Sequence, residues 1–139
     1  MTQRLFSASA ARIAGQVATV GFLLGMLLQL LLALGALPIS MAWGGSQAAL
    51  TPGLRLASLA AVAVLGGCAL IIRRRAGLSG GAPASRLVKI LAWVITIYMV
   101  LNTLGNFASA SGGEAALFGP LSLVLALACF VVAAARSGA

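Results

Sequence analysis

The chain has 139 residues, of which 62% are hydrophobic and only 7% charged, and its mean hydropathy is +1.14. This composition excludes an ordinary water-soluble domain, and the length allows one bundle of helices because each membrane crossing takes about 20 residues. The net charge of +8 comes from nine basic residues and one acid, Glu114. The basic residues lie between apolar segments without interleaved aromatics, so lipid is the expected partner and nucleic acid is not. We therefore predict an all-α polytopic membrane protein, a four-transmembrane-helix bundle forming a single domain over residues 1–139.

The first predicted span covers residues 13–37 and follows a short basic tail, Met1–Arg12, that we expect to lie along the cytoplasmic headgroups as a turn or two of helix. Its length of about 25 residues exceeds the apolar core of a signal peptide, which takes about 7 to 15, so we predict a retained helix. Gly21 and Gly25 form a GxxxG pattern, and Gln29 continues the same face. This face is expected to pack closely against another helix. Pro38 is expected to end the helix.

A loop over residues 39–50 connects this span to the second, predicted at residues 52–72. Trp43 in the loop is expected to act as an interfacial anchor. Thr51 and Pro52 are typical of an N-cap followed by proline at the first helical position. The segment after the span, residues 73–86, is predicted to be a basic cytoplasmic loop. The charges of this loop and of the nearby Lys89 serve as a topology signal or contact anionic phospholipid headgroups. The residues of this group are Arg73, Arg74, Arg75, Arg86 and Lys89.

The third predicted span, residues 87–107, has a polar side. At about 100° per residue, an arc of about 100° contains Tyr98, Asn102, Gly105, Asn106 and the nearby Ser109. Ile97 and Leu101 point the other way. A carboxamide without a partner costs several kcal/mol in hydrocarbon, so the polar side is expected to face other helices, water or a ligand. The fourth span is predicted at residues 115–135, after an S-x-x-E capping box at Ser111 and Glu114. The predicted ligand-binding or inter-helix polar cluster consists of Tyr98, Asn102, Asn106, Ser109 and Glu114.

Basic residues concentrate on one predicted side of the membrane. Eight of the nine, including Arg4 and Arg136, lie in the N-terminal tail, the 73–89 segment and the C-terminal tail, whereas the other two loops hold Arg55 and Glu114. Because cytoplasmic loops carry an excess of Lys and Arg, we predict four crossings with both termini in the cytoplasm. At about 1.5 Å per residue, Asn102 lies about 20 Å and Asn106 about 26 Å from Lys89. The polar face is therefore expected in the outer half of the membrane.

The C-terminal part of the chain contains the segment NTLGN at residues 102–106, followed by Ser109, Glu114 and Phe118-Gly119-Pro120. This pattern resembles a group of small uncharacterised bacterial four-helix integral membrane proteins, in which an NTLGN segment ends the third helix and a Ser, a Glu and a Pro follow before the fourth. The resemblance implies a location in the bacterial plasma (inner) membrane. It implies no activity.

Redox and metal chemistry have little support in this sequence. The chain contains no histidine, which excludes haem ligation by histidine and most zinc or copper sites. Cys68 and Cys129 lie in different apolar segments without a CxxC spacing, and we expect both to be small core residues. No cofactor and no metal are predicted.

Three classes of function compete. The sequence favours the first, a non-catalytic subunit or accessory factor that contacts a membrane-protein partner, with the second as its alternative. The second is an oligomeric transporter or channel for a small solute or ion that uses Asn102, Asn106 and Glu114, although the first span lacks the acid expected of a small multidrug exporter. The third is an enzyme acting on a lipid or quinone. No catalytic residue is predicted, because asparagine does no acid-base work and Glu114 has no paired acid or histidine.

Overall fold

The computed structural model describes residues 5–135. Over this range the chain forms four α-helices and no β-sheet, apart from one isolated bridge between Phe6 and Ala135. The helices are α1, Ala8–Leu34; α2, Pro52–Arg75; α3, Arg86–Phe107; and α4, Gly112–Ala134; a 3₁₀ turn, Ile39–Met41, lies between α1 and α2. Each α-helix is long and apolar enough to cross a membrane. The predicted all-α, four-helix architecture of a multi-pass membrane protein is confirmed.

All four helices begin at a hydroxyl residue whose side chain caps the helix. Each hydroxyl oxygen accepts a hydrogen bond from the backbone N–H three residues later, which satisfies one of the donors left free at a helix start. The capping residues are Ser7, Thr51, Ser85 and Ser111. The Thr51-Pro52 start of α2 thus matches the sequence prediction.

The first helix lies earlier in the chain than predicted. It begins at Ala8, so part of the predicted tail is helical, and it ends before Gly35 and not at Pro38. Gly35 has a φ of 78°, and its N–H donates to the carbonyls of Leu31 and Leu32. Glycine adopts this left-handed conformation at low cost and commonly ends helices in this way. Arg4 and Arg136, which enter the topology prediction, lie outside the described residues.

The second helix runs further than its apolar segment. It includes Arg73, Arg74 and Arg75, so the predicted basic loop is in part helical. Arginine is a good helix former, and a run of charges therefore ends an apolar span without ending the helix. The bounds of α3 and α4 lie close to the predicted spans.

The bundle consists of two helical hairpins. In one, α1 packs along α2, and in the other, α3 packs along α4; α1 and α4 join the hairpins, whereas α2 and α3 touch only lightly. The main core includes both cysteines as free thiols and the fully buried side chains of Phe22, Ile72 and Met99. Ile97, Leu101 and Leu104 are exposed, as expected for the lipid-facing side of α3.

The small residues of α1 border two different helices. A Cβ added at Gly21 would lie 2.7 Å from Leu125 Cδ2 of α4, and one added at Gly25 would lie 3.3 Å from Leu65 Cδ1 of α2. The predicted packing face therefore lies between α2 and α4. Gln29, the third predicted packing residue, lies one turn further along α1 and lines a cavity described below.

Most basic residues of the described chain lie at one end of the bundle, where α2 ends and α3 begins. Arg75 is only 5% exposed, and its Nη2 donates to the carbonyls of Ala133 at 3.2 Å and Ala135 at 2.7 Å. These carbonyls end α4 and lack helical partners. Arg75 thus points into the protein, because it caps a neighbouring helix. This placement differs from the headgroup contact that the sequence predicts for Arg75. That contact stays a prediction for Arg73, Arg74, Arg86 and Lys89.

Candidate polar cavity between the helices

A cavity of about 160 Å³ lies between the four helices, toward the end of the bundle opposite the basic residues. Its walls include apolar side chains such as Leu65, Leu121 and Leu125. Its polar and aromatic lining includes Gln29, Trp43, Tyr98, Asn102, Asn106, Glu114 and Phe118. The structure thus places four members of the predicted polar cluster on a single cavity. Tyr98 is still 41% exposed, so the cavity is not closed along α3.

Asn106 uses its amide to hold α3 against α4. The side chain is 9% exposed, and Nδ2 donates to the carbonyl of Phe118 and to Oγ of Ser122, each at 3.1 Å. Ser122 in turn donates to the carbonyl of Gly119 at 2.9 Å. Both N–H groups of the Asn106 amide are therefore used between helices. This arrangement corresponds to the inter-helix alternative left open by the sequence.

Two other carboxamides of the cavity lining, those of Asn102 and Gln29, make no inter-helix hydrogen bond in the described chain. Asn102 lies one turn before Asn106, is half-buried, and makes no side-chain hydrogen bond with any residue between 5 and 135. Gln29 Oε1 is buried and likewise has no partner in the described chain. An unsatisfied buried polar atom costs roughly 1 to 3 kcal/mol. Neither side chain therefore stabilises the bundle by a hydrogen bond to a described residue, and the buried oxygen of Gln29 in particular would gain from a donor supplied by a bound molecule.

Glu114 makes only half of the predicted capping box. Its N–H donates to Oγ of Ser111 at 3.2 Å, as a cap requires. The reciprocal bond, in which the carboxylate would accept from the Ser111 N–H, is absent because that N–H donates to Oγ of Ser109 at 3.1 Å. The Ser109 hydroxyl is thereby oriented to donate to Glu114 Oε2. Ser109 takes over the back-bonding role, and the carboxylate is left for other partners.

The loop after the 3₁₀ turn supplies the other donor to this carboxylate. The N–H of Gly44 donates to Glu114 Oε2 at 3.1 Å and lies 3.5 Å from Oε1. Trp43, Gly44 and Gly45 have positive φ values of 57°, 84° and 75°, which turns the loop sharply toward α4. A Cβ at Gly45 would lie 2.6 Å from the Ser111 nitrogen, so only glycine permits this approach.

The interfacial position of Trp43 stays a prediction, and the structure adds a partner for its indole inside the protein. Its Nε1 donates to Oγ of Ser58 at 3.2 Å, and Ser58 is fully buried in α2. The indole lines the cavity while 39% of the residue remains exposed. A buried indole N–H needs an acceptor, and Ser58 supplies one within the protein. Trp43 therefore covers part of the cavity beside Glu114.

Sequence reasoning missed several residues of this cavity. The sequence assigns Trp43 to the interface, Gln29 to packing and Phe118 to no site, and it also does not mark Ser58 as the acceptor for Trp43. The Gly44-Gly45 pair after Trp43 was the available indication, because consecutive glycines are typical of a left-handed turn that brings backbone close to another element. No pattern in α1 distinguishes a packing Gln29 from one that faces a cavity.

The charge of Glu114 has no counter-ion in the described structure. It is the only acid of the chain and is 7% exposed, yet no Lys or Arg between residues 5 and 135 forms an ion pair with it. Buried carboxylates are normally paired with a cation. Over the same residues, no group of three His, Cys, Asp or Glu side chains comes together to hold a metal. The cavity thus combines one unpaired acid, two free carboxamides and three aromatic side chains.

No protein-family model matches the chain, and no curated protein or solved structure matches it significantly.

Proposed function

We propose that this protein binds a small polar solute in the cavity between its helices and carries that solute across the membrane, with oligomers as the expected working form. The observation that carries the proposal is the burial of Glu114 without a cation, beside unpartnered carboxamides at Asn102 and Gln29. The bundle would be more stable with apolar residues at such positions, so polar groups kept there favour a bound ligand.

The proposed location is the bacterial plasma membrane, with both chain termini in the cytoplasm. The distribution of charge supports the orientation, since Arg73, Arg86 and Lys89 lie at one end of the bundle and Glu114 at the other. In this orientation the cavity lies in the outer half of the bilayer. Solute would reach it from the external side, past Trp43.

The competing proposal is a non-catalytic subunit or accessory factor. One observation favours it: Asn106 uses both N–H groups of its amide to hold two helices together, so a polar residue of α3 can have a structural role. The two proposals differ at Asn102, which has no such role. An enzyme acting on a lipid or quinone has less support, because Glu114 lies near no second acid in the described chain.

The test is a ligand screen on purified protein in lipid nanodiscs. Small amines, amino acids, sugars, and inorganic cations and anions are added separately, and the melting temperature is measured, because a ligand that binds only the folded state raises it. At least one solute is expected to stabilise the wild type and to have weaker affinity for Asn102→Leu. The lipid-facing change Leu101→Ala serves as the control and should leave affinity unchanged. Liposome uptake of that solute then tests transport.

Two results would count against the proposal. If no solute in the screen raises the melting temperature, the accessory-factor proposal replaces it. The same holds if every stabilising solute binds Asn102→Leu and Leu101→Ala as tightly as wild type, because the solutes then bind elsewhere.

A further inference from the structure

The groups around Glu114 indicate which kind of solute would complete the cavity. Oε2 accepts from the Ser109 hydroxyl and the Gly44 N–H, whereas Oε1 has only the 3.5 Å approach of Gly44. Both donors are neutral. They satisfy hydrogen-bonding capacity but leave a full negative charge in an apolar bundle, where a charge is costly unless paired. A cation bound at Oε1 would supply the missing counter-charge.

The unpartnered atom of Gln29 also favours a ligand that carries hydrogen-bond donors. It is an oxygen, Oε1, which is buried without a partner in the described chain, and its residue is part of the cavity lining. A carbonyl oxygen accepts hydrogen bonds and donates none, so the molecule that satisfies it must bring an N–H or O–H group. An ammonium group brings several donors together with a positive charge. None of the described residues that line the cavity is Lys or Arg, so an anion would find no counter-charge there.

The walls and the size of the cavity favour an organic cation over a metal ion. Trp43, Tyr98 and Phe118 come from three different elements, and aromatic faces attract alkylammonium groups. Calcium instead prefers about six to eight oxygen ligands, and a single carboxylate with two carboxamides falls short. The volume of about 160 Å³ is close to that of the roughly 150 Å³ engineered cavity that holds benzene. A compact alkylammonium ion would fit.

Resting on the solute-binding function above, we propose that the ligand is a small primary alkylammonium ion whose nitrogen pairs with Glu114 and Gln29 and whose alkyl part lies against the aromatic walls. Glu114 fixes the charge of the ligand. Gln29 fixes the donor, and Trp43 and Phe118 limit the length of the alkyl part.

The experiment compares three probes with nearly equal numbers of non-hydrogen atoms: n-butylammonium, 1-butanol and butanoate. Their affinities for the nanodisc protein are measured by calorimetry. Loss of a charge-assisted hydrogen bond costs roughly tenfold to a hundredfold in affinity. We therefore expect n-butylammonium to bind wild type more tightly than either other probe by about that factor, and to lose this advantage in Glu114→Gln.

Two further variants guard against indirect effects. Arg55→Gln also changes one charge at the same end of the bundle, but Arg55 is exposed and outside the cavity lining, so its affinity for n-butylammonium should equal that of wild type. Gln29→Met removes the unpaired oxygen without removing a hydrogen bond. It should fold at least as well as wild type and bind n-butylammonium more weakly, which keeps the test decisive if Glu114→Gln fails to fold.

The outcomes separate this inference from the function on which it rests. If 1-butanol or butanoate binds as tightly as n-butylammonium, or if folded Glu114→Gln and Gln29→Met retain full affinity for it, the cation inference is wrong while solute binding stands. If n-butylammonium fails to bind but another class of solute from the screen does, the same conclusion holds. If neither these probes nor any screened solute binds, both proposals are wrong.

Discussion

Two asparagines one turn apart on α3 have different surroundings. Asn106 donates to two acceptors on α4, whereas Asn102 faces the cavity without a hydrogen bond in residues 5–135. Helical spacing alone treats them as equivalent, because both fall on the same side of the helix. The two asparagines differ because of what lies opposite each of them. The Phe118 carbonyl and the Ser122 hydroxyl are within reach of Asn106, whereas the cavity lies beside Asn102.

This difference can be measured by replacing each asparagine with leucine. Asn106→Leu should lower the free energy of unfolding by about 0.6 to 2 kcal/mol, because it removes two inter-helix hydrogen bonds. Asn102→Leu should be neutral or slightly stabilising. Unfolding by denaturing detergent in mixed micelles gives both values, and equal losses at the two positions would contradict the assignment.

The sequence predicts the residues of the cavity better than their partners. Helical periodicity places Tyr98, Asn102 and Asn106 on one side of α3, and that is what the structure has. The donor to Glu114 could not be predicted, since Gly44 lies 70 residues away and approaches only because of a left-handed loop. The S-x-x-E pattern also does not predict the role of Ser109. This residue precedes the N-cap Ser111 and accepts a hydrogen bond from its N–H, so the second hydrogen bond of the capping box does not form.

At the scale of the helices, the length of an apolar segment does not determine the length of the helix that contains it. Hydropathy locates all four spans, but their ends depend on local chemistry: Gly35 ends α1 early, and the arginines extend α2. The contacts of α1 are also specific. Gly21 lies against Leu125, which is only 2% exposed and has little room to move, whereas a Cβ at Gly67 of α2 would meet nothing within 4 Å.

Matched glycine substitutions test the contact between α1 and α4. Gly21→Ala should destabilise the protein by about 1 to 3 kcal/mol, the usual cost of overpacking, because the new methyl group would force Leu125 or the helices apart. Gly67→Ala makes the same chemical change inside a helix and should be neutral or slightly stabilising. Melting temperatures in one detergent provide the comparison. A larger loss for Gly67→Ala would show that the α1–α4 contact is not tight.

At the scale of the whole molecule, the start and the finish of the described chain lie at the same end of the bundle. Phe6 and Ala135 form a backbone bridge there, and Arg75 donates to the last carbonyls of α4. The basic residues of the described chain gather at this end, apart from Arg55. By the positive-inside rule, this arrangement predicts that the basic end of the bundle faces the cytoplasm.

Reporter fusions check that orientation. A reporter active only in the periplasm should stay inactive when fused after Ala139 and become active when inserted in the loop that carries Trp43, because an excess of Lys and Arg keeps their end of the bundle in the cytoplasm. A cytoplasm-active reporter should give the opposite pattern. Periplasmic activity at the C-terminus would reverse the topology and move the cavity to the inner half of the bilayer.

The hydrogen bond from Gly44 to Glu114 joins the two helical hairpins, since Gly44 precedes α2 and Glu114 belongs to α4. The carboxylate available to a solute is therefore also a tie between the halves of the protein. By thermodynamic linkage, a solute that draws the carboxylate away from Gly44 must weaken the association of the hairpins by the same free energy that Gly44 takes from its binding. The affinity for the proposed solute and the contact between the Gly44 loop and α4 would thus be coupled through one side chain.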